Sequence, residues 1–440
     1  MSLPQDFVWG AATSSYQIEG SVGGGRGECI WHRFSHTPGK VVNDDNGDRA
    51  CDHVHLFRDD VALMKELGLH AYRFSTAWAR MLPNGTGAVN AEGLDFYDAL
   101  VDSLLAAKIT PYLTLYHWDL PQALQDRGGW ENPDSVKWFV EYAEVAARRL
   151  GDRVKDWITH NEPWCTAFLG NLIGAHAPGK HDPKAAFRVA HHVMISHGAA
   201  VKAIRAAVPD ARVGIAINMN GITPASDREE DLRAAQIQDA FANRWFLDPA
   251  FRGTYPADLI PLLGDALDGL DLAAISEAAQ PIDFMGLNYY QRNVFAYDAD
   301  APLGIKEIRT PDVHRTVMGW EVHPQSLTDI LVRLRDDYAP AAIYITENGA
   351  AYDDPAPVNG VVDDADRVAY LHGHFEATKT AVDLGVPVKG FFVWSLLDNF
   401  EWAEGYSKRF GIVHVDFETL KRTPKASARF LQSVIAHQPV

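Results

Sequence analysis

Two glutamates stand where a short apolar run stops. In Ala341-Ala342-Ile343-Tyr344-Ile345-Thr346-Glu347-Asn348-Gly349, a β-branched and aromatic stretch runs straight into Glu347. In Val154-Lys155-Asp156-Trp157-Ile158-Thr159-His160-Asn161-Glu162-Pro163, a second apolar segment ends in Glu162. Runs of this length and composition read as buried strands, so each carboxylate sits where the chain leaves the core. Burying a carboxylate without partners is costly. One such residue is readily explained as a solvated loop acid; two suggest acid–base or nucleophilic work. Asn348-Gly349 reads as a turn, and Pro163 biases Glu162 towards extended backbone while suiting the first turn of a helix.

The elements that would hold these residues recur along the chain. Apolar runs fall at 7–13, 70–75, 110–117, 156–162, 212–218, 283–288, 342–347 and 389–396. Helical patterns cover 53–68, 91–107, 133–150, 184–208, 363–384 and 425–436, the first ending at a Gly stop signal, Gly68. Eight buried strands alternating with helices are the pattern of a single (β/α)8 TIM barrel, an α/β fold, spanning residues 1–440 as one domain. The chain is longer than the roughly 250 residues of a typical barrel. The surplus is expected in long βα loops at 14–52, 289–324 and 397–423, forming the mouth of the site. An open doubly wound sheet is disfavoured because no Gly-rich phosphate loop follows a strand.

Bulk properties exclude several classes. The formal charge of −18 argues against nucleic acid and anionic membranes as partners. No apolar stretch approaches spanning length, and the N-terminus lacks a basic start and apolar run, so a cytoplasmic protein is expected. The three cysteines, Cys29, Cys51 and Cys165, form no disulfide framework and fit a reducing compartment. Cys51, His53 and His55 lie close together, but no second ligand pair completes a metal site. No metal or cofactor is called for. The acidic pairs Asp44-Asp45 and Asp353-Asp354 read as solvated surface.

Barrel active sites lie at the carboxyl ends of the strands. The residues there are polar or aromatic at nearly every strand: Gln17, Arg73, His117 and Trp118, Asn161 and Glu162, Asn218 and Asn220, Asn288 and Tyr290, Glu347, and Trp394. Paired glutamates amid Trp, Asn, Gln and His suit glycoside hydrolysis, in which retaining enzymes hold two carboxyl groups about 5–5.5 Å apart. Arg73, on reaching Glu347, would keep it ionised as nucleophile, and the negative Glu347 would raise the pKa of its partner acid. A small-molecule β-glycoside is the expected substrate; monomer and homo-oligomer are both open.

The same residues carry a family resemblance. Thr159-His160-Asn161-Glu162-Pro163 and Ile345-Thr346-Glu347-Asn348-Gly349 resemble the acid/base and nucleophile motifs of glycoside hydrolase family 1, the β-glucosidases and related retaining β-glycosidases. Residues 7–20, Tyr72-Arg73-Phe74-Ser75, Tyr116-His117-Trp118-Asp119-Leu120-Pro121, Gly286-Leu287-Asn288-Tyr289-Tyr290, the run from Trp394 to Trp402, and Arg409-Phe410-Gly411 also match, in order, over essentially the whole chain. The resemblance implies Glu347 as nucleophile and Glu162 as acid/base. It further implies that Asn161 holds the 2-hydroxyl, Tyr290 positions the nucleophile, and Gln17, His117, Glu401 and Trp402 bind outer hydroxyls. Trp394 would floor the sugar and Phe410 wall it. Trp164, Cys165, His176 and Trp320 are candidates for the aglycone side, with plain packing as the competing explanation and Cys165 read as a small apolar filler. Glu162 stands where thioglucosidases of the family carry Gln. Glu401-Trp402 would repel the phosphate that phospho-β-glycosidases accept, although Lys408 and Arg409 lie nearby. A sugar-binding module without catalysis is the alternative, opposed by the presence of both glutamates.

Overall fold

In the computed structural model, which describes residues 3–21 and 23–437, eight parallel strands close into a barrel. They are β1 (Val8–Ala12), β2 (Ala71–Ser75), β3 (Thr110–Tyr116), β4 (Asp156–Asn161), β5 (Arg212–Asn218), β6 (Phe284–Asn288), β7 (Ile343–Asn348) and β8 (Val388–Trp394). Each lies beside its sequence neighbours, and β8 closes on β1 with Val8 opposite Gly390 and Ala12 opposite Trp394. All eight expected runs are strands, with ends shifted by no more than two residues.

Barrel closure follows from where the side chains go. Tyr112, Phe284, Tyr344 and Phe392 point into the barrel among small residues such as Ala12, Ala71 and Ala216. Their rings meet at 4.9 Å for Tyr112 and Phe392 and at 5.3 Å for Phe284 and Tyr344. This fills the interior below the mouth, as packed barrel layers require. The alternate side chains pack outward against α1 (His53–Glu66), α2 (Ala91–Ala106), α3 (Ser135–Leu150) and α4 (Pro183–Ala207), and, beyond α5 (Glu229–Asp239), which lies on the small sheet of the loops after β5 and β6, against α6 (Pro324–Tyr338), α7 (Ala365–Asp383) and α8 (Ala426–Ala436). Gly68, with φ +77°, ends the turn after α1 as its stop signal implies. Helices α5 and α6 lie in stretches for which the sequence pattern defined no boundaries. Among the described residues, no helix is long and apolar enough to cross a membrane.

The long loops sit on the carboxyl side of the strands, in the three expected segments and also after β5. There Gly221–Pro224 pairs in parallel with Arg292–Tyr297, which pairs antiparallel with Ile305–Ile308. This small sheet ties the β5 and β6 loops together. After β8, Val413–Val415 and Arg422–Pro424 form a short antiparallel pair.

One acidic pair is not the solvated surface expected of it. Asp353 is exposed, but the Asp354 side chain is 1 % exposed between Arg367 (2.9 Å) and Lys425 (2.5 Å). Lys425 also reaches Asp398 (2.7 Å), which takes Arg409 at 2.7 Å. Arg367 in turn holds Asp364 and donates to the Arg409 carbonyl at 2.8 Å. Burial forces these charges to compensate one another, and the network pins the loop after β8 onto α7. Asp45 likewise accepts the Tyr406 N–H at 2.9 Å, while Asp44 remains exposed. Removing one partner of a buried pair strands the other charge, so Lys425→Met should lower unfolding free energy by about 3–5 kcal/mol in equilibrium denaturation. A loss under about 1 kcal/mol would show that the network behaves like a screened surface pair.

Candidate active site

The strand ends converge on a cavity of about 410 Å³ whose lining includes Glu162 and Glu347. Glu347 is the penultimate residue of β7 and is 3 % exposed. The Asn348-Gly349 pair that follows is not a turn: Asn348 is still in the strand, and a Cβ on Gly349 would stand 1.7 Å from the Trp394 carbonyl oxygen. Glycine is there to let β7 and β8 approach, not for a positive φ.

Arg73, buried in β2, donates from Nη1 to Glu347 Oε1 at 2.5 Å and from Nη2 to Asn161 Oδ1 at 2.5 Å. Tyr290 Oη donates to the other Glu347 oxygen at 2.6 Å. Burial raises the Glu347 pKa above the ordinary carboxylate range, with Arg73 foremost among the groups that oppose it. Asn161 Oδ1 also accepts Asn288 Nδ2 at 3.0 Å, which fixes the amide so that its Nδ2 faces His117 Nε2 at 3.1 Å. The opposite His117 nitrogen, Nδ1, is buried without a partner among the described residues. Such an atom is suited to a ligand hydroxyl.

Glu162 follows β4 with φ +46°, in the left-handed region rather than the extended conformation expected before Pro163. The reason is local. Its N–H still donates to the Ala216 carbonyl of β5 at 2.9 Å, while its own carbonyl already accepts the N–H of Cys165 at 3.0 Å. Strand must become helix across one residue, and Pro163 occupies the first helical turn as expected. Trp118 and Trp402, at φ +78° and +52°, share this uncommon backbone region. Three such residues lining one cavity are strain concentrated at a site.

Among the described residues, the Glu162 carboxylate accepts hydrogen bonds from neutral donors alone. Asn288 Nδ2 reaches Oε1 at 2.8 Å and Cys165 Sγ donates to Oε2 at 3.0 Å. Cys165 is therefore a hydrogen-bond donor rather than the apolar filler expected. Burial first, and then the charge of Glu347, push Glu162 up to about 7. Glu401 is driven to about 8 by burial and by Glu347, Glu162 and Glu404, with Gln17 opposing.

Most of the other expected residues also line the cavity: Trp118, Asn288, Tyr290, Trp394, Trp402 and Phe410, together with all four aglycone-side candidates, Trp164, Cys165, His176 and Trp320. Trp118 donates its Nε1–H to the Asn161 carbonyl at 2.9 Å, which turns its ring against Trp402 (4.7 Å) and His176 (5.2 Å). Arg73, Asn161 and Gln17 stand behind the lining. Gln17 is held by Ser14, Asn399 and the Phe400 carbonyl, and its Nε2 lies 3.4 Å from Glu401. Lys408 and Arg409 are not in the lining, and Arg409 is committed to Asp398. Leu169, Gln291, Met318 and Glu404 line the cavity unforeseen. Of these, only Glu404 carried a sequence signal, as an acid three residues after Glu401.

A closed parallel barrel whose mouth gathers buried glutamates, amides and stacked indoles defines a glycoside hydrolase. A model of glycosyl hydrolase family 1 matches residues 1–439, and the chain belongs to that family. It is 49 % identical over 435 residues to "Beta-glucosidase A" of Thermotoga maritima, covering 98 % of this chain and 97 % of that one. It is 42 % identical over 464 residues to a "Bifunctional beta-D-glucosidase/beta-D-fucosidase" of Bifidobacterium breve, covering 99 % and 98 %. The solved family 1 β-glucosidase of Thermotoga maritima superposes with a TM-score of 0.98 at 48 % identity, covering 100 % of this chain and 99 % of that one.

The thiol contact yields a test independent of turnover. A donor to Oε2 stabilises the carboxylate form, so Cys165→Ala should raise the Glu162 pKa from about 7. The expected rise is about half a unit to one unit, read by carboxyl ¹³C NMR of the unliganded protein. Cys165→Ser should restore most of the difference. An unchanged titration in Cys165→Ala would remove the thiol from the electrostatics of the site.

Proposed function

We propose that the chain, working as one catalytic domain, is a β-glucosidase that removes terminal non-reducing β-D-glycosyl residues by double displacement with retention. The observation that carries this reading is the asymmetry of the two glutamates. Glu347 takes a guanidinium and a phenol, whereas Glu162 takes an amide and a thiol. When two buried carboxylates share one cavity, the proton goes to the one without a cation. Glu347 is then the nucleophilic anion and Glu162 the acid.

In the first step Glu162 donates its proton to the leaving oxygen while a Glu347 oxygen bonds to the anomeric carbon. In the second, Glu162, now ionised, takes a proton from the water that displaces Glu347. Asn161 suits the 2-hydroxyl beside the reacting carbon, and Gln17, His117, Glu401 and Trp402 suit the outer hydroxyls. A Glu401 carboxyl pushed up to about 8 is neutral near pH 7 and can donate as well as accept a hydrogen bond. Trp394 stacks near His117 at 5.6 Å and would lie beneath the sugar ring. The resemblance to a glucosidase/fucosidase supports β-fucosides as secondary substrates, and β-galactosides are proposed beside them. Three free, buried cysteines support a cytoplasmic location.

Glu347→Ala should abolish hydrolysis, and added azide should yield a glycosyl azide of inverted configuration, read by NMR. Wild-type turnover in Glu347→Ala would remove the nucleophile assignment. Glu162→Ala should cost glycosides with poor leaving groups roughly 10²–10⁴-fold in kcat/KM while largely sparing dinitrophenyl glycosides. Equal losses on both classes would disprove its acid role. In the wild type, kcat/KM should fall as pH rises through about 7, because Glu162 must be protonated to act.

A further inference from the structure

The segment between β1 and α1 carries a side-chain cluster that the cavity chemistry does not use. His32 lies on the short helix Ile30–Ser35 and His36 is its C-terminal cap. Four residues apart, they project from one face, with ring centroids 4.3 Å apart. Asp48, on the return of the same segment, faces both. His36 Nε2 is 3.1 Å from its Oδ2, and His32 Nδ1 is 3.4 Å from its Oδ1. One ligand atom from each residue can be chosen so that all lie within 4.8 Å of one another.

The hydrogen bonding fixes which atoms face inward. His36 Nδ1 lies 2.7 Å from the His32 carbonyl oxygen and so carries a hydrogen towards it. In the neutral ring Nε2 is then a lone pair aimed at a carboxylate oxygen. Two lone pairs do not attract; a proton or a cation must lie between them. Anchoring the second imidazole nitrogen on a carbonyl is how proteins orient metal-binding histidines. A tetrahedral ion with bonds of about 2.0–2.1 Å sets its ligand atoms about 3.3–3.4 Å apart, close to both nitrogen–oxygen separations here. Ser21 Oγ donates to Asp48 Oδ1 at 2.9 Å and lies 3.3 Å from His32 Nδ1, so it ties the carboxylate to the same imidazole. The three side chains are 32 %, 39 % and 34 % exposed, which leaves room for water to complete a coordination shell.

We propose that His32, His36 and Asp48 form a binding site for a divalent transition cation of the zinc or nickel type. Two imidazoles and one carboxylate suit those ions; calcium and magnesium need more oxygen ligands. The ion would clasp the two ends of one loop. Its helix carries Trp31, which meets Trp402 at 4.6 Å and His176 at 5.1 Å, and Asp48 belongs to the bend whose Gly47 and Asp48 carbonyls hold the Ser21 N–H. The bound ion steadies the outer wall of the cavity and takes no part in bond cleavage.

The test is zinc chloride titrated into the full, chelator-stripped chain at pH 7.5 by calorimetry, with dialysis to count bound zinc. The wild type should bind zinc at this site and unfold at a higher temperature when saturated. His36→Gln and Asp48→Asn should each weaken that binding roughly tenfold or more and lose the thermal gain. His55→Gln, an exposed histidine outside the cluster, should leave both unaltered. Without zinc the variants should unfold close to the wild type, which separates lost binding from lost folding. Absence of wild-type zinc binding below about 1 mM, or binding that neither cluster substitution alters, overturns the proposal.

Discussion

The ion pair between Arg73 and Glu347 is the contact on which the rest of the site depends. Glu162, Glu347 and Glu401 share one cavity, and burial raises the pKa of each. Arg73 lowers the pKa of both Glu347 and Glu162, yet it touches only Glu347. A buried guanidinium is itself affordable only with its donors engaged, and Arg73 engages Glu347, Asn161, Thr114 and the Thr346 carbonyl. That set spans β2, β3, β4 and β7. The charge therefore holds four strand ends in register while it breaks the symmetry between two chemically identical side chains.

The amides carry this order onward. Asn288 Oδ1 accepts the Thr346 hydroxyl at 2.6 Å, which leaves its Nδ2 for Asn161 and Glu162. Asn161 Oδ1, saturated by Arg73 and Asn288, leaves its own Nδ2 towards His117. Each amide has one orientation that satisfies its neighbours, so the donors facing the cavity are set before any ligand arrives. Preorganisation of this kind spares the reorganisation that water would have to undergo in the same place.

The barrel strands and both glutamates were legible in the sequence because their signal is local: an apolar run, its length, and the polar residue that ends it. What was not legible depends on partners distant along the chain. Asp354 reads as surface until Lys425 and Arg367 are seen to enclose it. Gly349 reads as a turn until the Trp394 carbonyl is found against it. Glu162 reads as extended, since proline disfavours helical backbone before it, until the Ala216 carbonyl claims its N–H. Leu169 lies in the short π-helix Cys165–Ile173 and Met318 in a turn, and neither belongs to a periodic run that would have marked it. Cys165 stands near Glu162 in the sequence, but only the direction of its Sγ distinguishes a donor from a filler.

The crowding of carboxyl groups in the cavity bears on what the site can hold. A sugar ring is neutral and offers hydroxyls that both donate and accept, so it is indifferent to net charge but sensitive to donor and acceptor placement. An anionic ligand would have to keep Glu401 and Glu162 protonated or face their repulsion, with Arg73 already committed to Glu347 and Arg409 held by Asp398. The same crowding that lifts Glu401 to about 8 makes it a two-way hydrogen-bonding group. A surplus of carboxyl groups around one guanidinium suits neutral polyols better than anions, and Glu347 is the one that the guanidinium holds.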